Sequence, residues 1–211
     1  KIISILKSSF PEHSFLAEES GEEATSSDYL WIIDPLDGTT NFVHGYPSFA
    51  VSIGLYHQNT PQIGVVLEMP HAKLYSAIKG EGAWCEGQPI SCSTTSVLEN
   101  SLLVTGFGYE HGEKWEKNML LFKSFTDKTQ GVRRLGAAAV DLCHVAAGKV
   151  DGFWEFDLHP WDSAAGFIIA REAGAIVTQM DGSDYSIYNN NILVTNPILH
   201  DKMVKVIRSI I

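Results

Sequence analysis

The 211-residue sequence predicts an α+β protein built in layers. Two observations carry this prediction. In the first half of the chain, short extended segments are separated by turn residues, which favours an antiparallel sheet. In the second half, strand patterns alternate with helix patterns. We therefore expect an antiparallel-sheet layer over residues 1–98 and an α/β layer over residues 99–211, which together form one unit.

The first half begins with a helical pattern that ends before Pro11. An extended segment at 14–17 follows, and then a polar loop at 20–28. The apolar run 29–33 predicts a strand buried on both faces, which ends at Asp34 and Pro35. Four more strands, joined as an antiparallel meander, are predicted at 49–56, 62–69, 74–79 and 83–85.

The second half contains five predicted strands, at 102–105, 132–134, 152–156, 175–178 and 192–195. It also contains four predicted helices, at 113–125, 137–147, 162–173 and 199–210. The helix at 113–125 is amphipathic, and we expect one side of it to carry Trp115, Met119, Phe122 and Phe125. The helices at 137–147 and 162–173 are apolar almost all round, which predicts that both are buried.

Composition and charge argue against several functional classes. Hydrophobic residues make up 45% of the chain and charged residues 19%, which is typical of a globular protein. The formal net charge of −10 argues against a nucleic-acid backbone as the main partner, because phosphate binding there needs a basic face. No apolar run approaches the ~18–20 residues of a membrane span. We therefore expect neither a nucleic-acid partner nor insertion into a membrane.

The cysteines and the first residue bear on location. Cys85, Cys92 and Cys143 have neither disulfide-type nor zinc-type spacing, which favours a reducing compartment, and we expect the cytoplasm. Residue 1 is Lys, and a helical pattern is already under way there, so we expect the natural N-terminus to be missing. A targeting segment would be lost with it, which leaves a plastid as the alternative.

The segment 34–41, with sequence DPLDGTTN, combines cation ligands with an anion cradle. Asp34 and Asp37 lie three positions apart in a turn after a buried strand, and Gly38 permits a close approach of the backbone. Thr39 and its neighbours are typical of a helix start, whose unpaired N–H groups suit a phosphate. Carboxylates beside such a cradle suit Mg²⁺. The alternative is a plain turn with solvated carboxylates, but a plain turn does not account for the residues after Gly38.

Two further acidic elements extend this pattern. Glu18 and Glu19 follow an extended segment, and Asp162 stands near the start of a buried helix. The alternative for the first pair is a solvated acidic loop. The alternative for Asp162 is a helix N-cap.

Arginine and histidine side chains are further candidates for the site. Arg133 and Arg134 are candidates for binding a substrate phosphate, but neighbouring residues in a strand point to opposite faces, and one of them is then expected in an internal ion pair. His44 follows the 34–41 segment and is expected on a surface loop. The histidines lack the spacing of a zinc site.

The ordered motifs EES at 18–20, DPLDGTTNF at 34–42 and WDSAAG at 161–166 resemble the inositol monophosphatase family, within the lithium-sensitive phosphatase superfamily. The resemblance covers essentially the whole chain, including the segment 131–142. It implies a layered αβαβα sandwich of the kind shared by fructose-bisphosphatase and inositol monophosphatase. The departures are the missing N-terminus and Ala137, where many members carry Ser or Thr.

The resemblance also implies a role for each site residue. The implied ligands of two Mg²⁺ ions are Glu18, Asp34, the carbonyl of Leu36, Asp37 and Asp162, with Glu19 or Glu18 alone at a weaker third site. The implied catalytic residues are Glu18, Asp37 and Thr39, of which Thr39 and the Glu18 region would orient and deprotonate the attacking water. Backbone N–H groups of Gly38 and Thr39 would bind the phosphate. Glu155 and the backbone near Ala138 would bind polyol hydroxyls.

The activity implied is Mg²⁺-dependent hydrolysis of a small phosphate monoester, with inositol 1-phosphate as the leading substrate and a homodimer as the expected assembly. Rival substrates are histidinol phosphate, fructose 1,6-bisphosphate and a 3′-phosphoadenosine nucleotide. Glu155 and the polar loop of Tyr109, Glu110 and His111 would separate them. A rival of another class is a non-catalytic partner-binding protein on the same fold.

Overall fold

The computed structural model describes residues 1–108 and 110–211, and it contains two β-sheets. The strands of the first sheet are β1 (Ser14–Ala17), β2 (Gly21–Glu23), β3 (Tyr29–Asp37), β4 (Phe49–His57), β5 (Thr60–Met69), β6 (Lys73–Ile78), β7 (Gly82–Cys85) and β8 (Gln88–Ile90). Their order is β2-β1-β3-β4-β5-β6-β7-β8. All neighbours in it are antiparallel except β1 and β3, which run parallel. The predicted meander is confirmed.

The second sheet has five strands, in the order β10-β9-β11-β13-β12. Its strands are β9 (Leu102–Thr105), β10 (Gly131–Arg133), β11 (Gly152–Phe156), β12 (Ile176–Thr178) and β13 (Asn191–Thr195). Strands β10, β9 and β11 run parallel, and β13 is antiparallel to both β11 and β12. The carboxyl ends of the three parallel strands therefore meet at one edge of the sheet.

The helices form three layers around and between the sheets. They are α1 (Ile2–Ser9), α2 (Thr39–His44), α3 (Glu113–Lys128), α4 (Ala138–Ala146), α5 (Pro160–Glu172) and α6 (His200–Arg208). Helices α4 and α5 contact strands of both sheets and so lie between them. Helix α1 packs on the outer face of the first sheet, and α3 and α6 pack on the outer face of the second. This αβαβα order confirms the predicted fold class.

The model corrects several predictions at the level of elements. The loop predicted at 20–28 contains the short strand β2, which pairs with β1. Strand β8 includes Pro89, which lacks an N–H and is tolerated because β8 is an edge strand. Strand β3 continues to Asp37, and Tyr29 at its start is exposed, so burial on both faces holds only for 31–33.

Helix α3 confirms part of the predicted apolar side. Phe125 is buried and Phe122 is partly buried against the core, whereas Met119 is exposed, and Asn118 and Leu121 are buried in addition. Asn118 is buried because its amide is fully used: Oδ1 accepts a hydrogen bond from Trp154 Nε1 at 2.6 Å, and Nδ2 donates to the Gly106 carbonyl at 2.6 Å. A buried amide with both ends bonded is stable.

Close packing fixes α5 against the first sheet. A Cβ atom at Gly64 of β5 would lie 2.5 Å from the Ala165 carbonyl oxygen and 2.5 Å from Ile168 Cγ2. Only glycine therefore allows α5 to approach the sheet this closely. Because Asp162 stands in the first turn of α5, this contact also sets the position of that carboxylate.

A charged network joins the first sheet to α4. The His144 Nε2 atom lies 3.2 Å from Glu68 Oε1, and Tyr75 Oη donates to Glu68 Oε2 at 3.0 Å. Lys149 Nζ donates to Tyr75 Oη at 2.6 Å. The hydrogen bond with His144, together with the charges of His144 and Lys149, lowers the pKa of the buried Glu68 carboxyl to about 2, although burial opposes this.

We predict that Gly64→Ala lowers the free energy of unfolding by about 1–3 kcal/mol, because the added methyl group collides with backbone atoms of α5. Thermal or urea denaturation measures this. Gly108→Ala is the matched control, since a Cβ there meets nothing within 4 Å. Equal stability of the two variants would contradict the packing described.

We predict that acid weakens the fold through Glu68. Its pKa in the folded chain is about 2, below the ordinary 4.5, so the carboxylate stabilises the fold above pH 4.5 and this contribution is lost as the pH falls towards 2. The lost contribution is at most about 3 kcal/mol. Denaturation at pH 2 to 6 measures it, and Glu68→Gln should flatten the profile. An unchanged profile would refute the role given to this carboxylate.

Candidate functional site

A cleft of about 1010 Å³ opens where the two layers meet. The first sheet contributes Glu18, which follows β1, and the end of β3. The second sheet contributes Gly106 after β9, Arg134 after β10 and Glu155 near the end of β11. Since parallel strands end at a common edge, their C-terminal residues converge here.

Two buried aspartates of β3 form the floor of the cleft. Asp34 is 2% exposed and Asp37 is 7% exposed. The Leu36 N–H donates to Asp34 Oδ1 at 2.9 Å, and the Ala139 N–H donates to Asp37 Oδ2 at 2.8 Å. Each carboxylate is thus oriented by one backbone N–H, and the bond from Ala139 joins the first sheet to α4.

Asp162 and Glu18 complete the acidic cluster. The structure places Asp162 at the third residue of α5, where Oδ2 accepts a hydrogen bond from the His159 N–H at 2.7 Å. The helix thus starts at Pro160 with His159 as N-cap, which corrects the alternative that Asp162 is itself the cap. Glu18 is anchored by its backbone N–H to the Ile33 carbonyl at 3.3 Å, and its carboxyl contacts that of Asp34.

Burial and mutual repulsion disfavour the charged forms of these acids. Burial, together with the charges of Glu18 and Asp162, raises the pKa of Asp34 to about 7, although the hydrogen bond from Leu36 opposes this. Burial also raises the pKa of Asp162 to about 6 and holds that of Asp37 well above its usual range. Within residues 1–108 and 110–211, no Lys or Arg lies within 4.0 Å of these carboxylates.

This donor set fits Mg²⁺. Buried carboxylates without a basic partner are costly unless a cation offsets them, and Mg²⁺ prefers hard oxygen ligands such as these and a backbone carbonyl. In the described part of the chain, no three acidic, His or Cys side chains already stand in a coordinating arrangement. One oxygen each of Asp34, Asp37 and Asp162 also bonds to a backbone N–H.

The helix start predicted after Asp37 is confirmed as α2. Gly38 precedes it with φ +83°, and a Cβ there would lie 2.9 Å from the Ser48 carbonyl oxygen and 3.1 Å from Ala137 Cβ. Glycine is therefore required by both conformation and space. Thr39 Oγ1 donates its proton to the Leu36 carbonyl at 3.0 Å. The same oxygen can therefore only accept a hydrogen bond from any further partner.

Glu155 and Ala138 also line the cleft. Glu155 is buried, and burial raises its pKa to about 8 although the charge of Arg134 opposes this. Its carboxylate occupies the space where a Cβ on Gly106 would stand. Ala138 is the first residue of α4 and lines the cleft.

The structure does not gather every predicted residue. Glu19 is exposed and does not line the cleft. His44 ends α2 and is exposed, as predicted. Glu110 and Arg134 line the cleft, whereas Tyr109 lies outside the described residues.

Asp141 is a buried acid to which the sequence reasoning gave no role. It is fully buried in α4, and neither carboxyl oxygen has a partner among the described residues. Burial holds its pKa well above the usual range, and the charges of Glu155 and Asp37 add to this effect. The one available signal was an acid within an otherwise apolar helix.

The chain belongs to the inositol monophosphatase family, whose model matches residues 1–211. The phosphatase IMPL1 of Arabidopsis thaliana, which is chloroplastic, is 51% identical, and the match covers 97% of this chain and 57% of that protein. A putative Nus factor SuhB of Neisseria meningitidis is 42% identical over 98% of this chain and 79% of its own. The chain thus spans only part of the length of these relatives.

A solved structure shows the same fold. The inositol monophosphatase from Anabaena (Nostoc) sp. PCC 7120 superposes with a TM-score of 0.92 at 44% identity, and the match covers 100% of this chain and 84% of that chain. Among the described residues, no helix is long and apolar enough to cross a bilayer.

We predict that Asp34→Asn leaves the metal-free chain at least as stable as the original at pH 8. The side chain keeps an oxygen for the Leu36 N–H but removes a carboxylate whose pKa is raised to about 7 and whose ionisation the fold opposes. Mg²⁺ should raise the melting temperature of the original chain and have much less effect on the variant. Calorimetry measures both quantities. A variant that gains as much from Mg²⁺ as the original would exclude Asp34 as a ligand.

Proposed function

We propose that the chain is a Mg²⁺-dependent phosphatase of small phosphate monoesters. The observation that carries the proposal is the set of buried aspartates without a cationic partner, placed directly before a helix start. Such a cluster is costly in a protein that binds no cation, and the adjoining helix start suits an anion. Membership of the inositol monophosphatase family supports the same chemistry.

The proposed role of each residue follows from its position in the cleft. Glu18, Asp34, Asp37, Asp162 and the Leu36 carbonyl hold two Mg²⁺ ions, which, when bound, offset the charge of the phosphate and favour ionisation of water. Gly38 and Thr39 present backbone N–H groups to the phosphate. The Thr39 hydroxyl directs its own proton to the Leu36 carbonyl, so its oxygen would accept a hydrogen bond from the attacking water and orient it. The Glu18 carboxylate would take up the proton that this water loses. No side chain is required as a nucleophile, so transfer occurs directly to water.

Inositol 1-phosphate is the leading substrate in this proposal. Glu155 and the backbone at Ala138 face the position of the leaving group and offer acceptors and donors for hydroxyls. The family name and the name of the Anabaena relative support this substrate. Histidinol phosphate, fructose 1,6-bisphosphate and 3′-phosphoadenosine nucleotides are alternatives, because the phosphate side of the cleft treats all of them alike.

The second candidate function is partner binding without catalysis. The SuhB relative is named as a putative Nus factor, which is the observation that favours it. The carboxylate cluster argues for catalysis, since buried acids serve no purpose in docking. If partner binding were the sole function, the loss of Asp34 would have no functional effect.

We further propose that the segments 1–98 and 99–211 act as one catalytic unit, because the cleft takes residues from both. A third Mg²⁺ site at Glu19 and assembly as a homodimer stay predictions. The chloroplastic relative is a reason to test a plastid location of this chain as well as a cytoplasmic one.

We predict that the chain releases inorganic phosphate from inositol 1-phosphate only when Mg²⁺ is present, and that Li⁺ inhibits the release. Asp34→Asn should lower kcat by roughly 100-fold or more, because this carboxylate would hold the metal. Asp127→Asn on the exposed surface of α3 is the matched control and should act like the original chain. Metal-independent release, or full activity of Asp34→Asn, would overturn the proposal.

A further inference from the structure

Arg134 is a cation in an otherwise acidic cleft. It follows β10 and lines the cleft on the side of Glu155 and Gly106. The acidic side chains that line the cleft are Glu18, Asp34, Asp37, Glu110, Glu155, Asp157 and Asp162. Among the described residues that line it, Arg134 is the only Lys or Arg. An arginine in this position either neutralises one of these acids or binds an anion that enters the cleft.

Among the described residues, Arg134 does not neutralise an acid through an ion pair. Within residues 1–108 and 110–211, no carboxylate lies within 4.0 Å of the Arg134 guanidinium. Asp157 in the same cleft wall is paired with Lys114 instead. Arg134 Nη2 makes only a long hydrogen bond of 3.5 Å to the Phe107 carbonyl, and the side chain is exposed. Its charge faces Glu155 and Asp141 without an ion pair to either.

The guanidinium also stands beside the anion cradle. A Cβ at Gly136 would lie 2.8 Å from Arg134 Nη1, and a Cβ at Gly38 would lie 3.2 Å from the Gly136 carbonyl oxygen. Gly136 thus separates Arg134 from the backbone proposed to hold the scissile phosphate. A molecule whose phosphate binds at Gly38 can therefore reach Arg134 with its other end.

We infer that Arg134 binds a second anionic group on the leaving-group part of the substrate, so that the site prefers phosphate monoesters that carry a further phosphate or carboxylate. The inference rests on the proposed phosphatase chemistry, and it ranks doubly charged monoesters above inositol 1-phosphate, which has one anionic group only. Guanidinium binds both anions through paired hydrogen bonds. A cleft of about 1010 Å³, at the upper end of the usual range of ligand sites, has room for the larger substrate.

The test compares substrates that differ only in the second anion. Fructose 1,6-bisphosphate is paired with fructose 1-phosphate, and 2-phosphoglycerate with glycerol 2-phosphate, which distinguishes a second phosphate from a carboxylate. In the original chain, kcat/KM should be at least about tenfold higher for the doubly charged member of one pair. Arg134→Ala should lower this value by about 10- to 100-fold, mainly through KM, because a hydrogen-bonded charge pair contributes about 1.5–3 kcal/mol.

The kcat/KM values of the singly charged members should change less than about twofold in Arg134→Ala, because these compounds lack the anion that pairs with Arg134. Arg134→Lys should restore part of the preference. Arg133→Ala is the matched control, because Arg133 is exposed, bonds to the Val132 carbonyl and does not line the cleft. Melting temperatures of all variants verify folding.

Equal losses for both members of a pair would overturn the inference, because Arg134 would then act on the scissile phosphate or on the fold. An original chain without preference would overturn it too. If the original chain releases phosphate from none of the four compounds and not from inositol 1-phosphate either, the proposed function fails instead. Titration calorimetry with the same pairs and Mg²⁺ then decides: a difference in affinity that Arg134→Ala removes supports the inference, and equal affinities contradict it.

Discussion

Burial of aspartates whose charge the chain itself does not neutralise is the constraint on which the rest of the structure depends. Asp34 and Asp37 are nearly inaccessible, and Asp162 joins them from another layer. Burial and mutual repulsion both oppose ionisation, as the raised pKa values show. The fold nevertheless holds each carboxylate in place with a backbone N–H. This cost is the observation on which the proposed cation site rests.

The packing of the first sheet against α5 positions the acidic residues of the cleft. The two parallel strands β1 and β3 deliver Glu18 and the pair of aspartates at one edge of the first sheet, and α5 lies close enough to that sheet to add Asp162. The close approach depends on Gly64, far from the cleft, where any side chain would displace the helix. Stability and site geometry are thus coupled through the same packing contact.

Features of the fold and the site could be predicted from the sequence where neighbouring residues determine them, and could not where distant residues do. The strand, turn and helix start around Gly38 were predictable, because backbone conformation and helix-start preferences act within a few residues. Bringing Glu18 and Asp162 to the same cleft required the family resemblance, since sequence spacing does not measure distance in space. The burial of Phe125 in α3 was predicted, whereas that of Asn118 was not, because its partners Trp154 and Gly106 are distant in the sequence.

Among the described residues, the absence of an ion pair at Arg134 and the burial of Asp141 were likewise beyond the sequence. Each depends on which charges the fold places nearby, and the sequence alone left an internal ion pair open as an alternative for one of the arginines. The backbone conformation around Gly38 was therefore better predicted than the pattern of charges around Arg134.

The most direct test of the central claim is a crystal structure of the chain with Mn²⁺ as a substitute for Mg²⁺, in which anomalous scattering locates the ions. The account predicts two peaks roughly 3.5–4 Å apart, with Asp34 between them and Asp37 and Asp162 beside one of them. Anomalous peaks confined to the surface, with the aspartate cluster free of metal at saturating Mn²⁺, would contradict it.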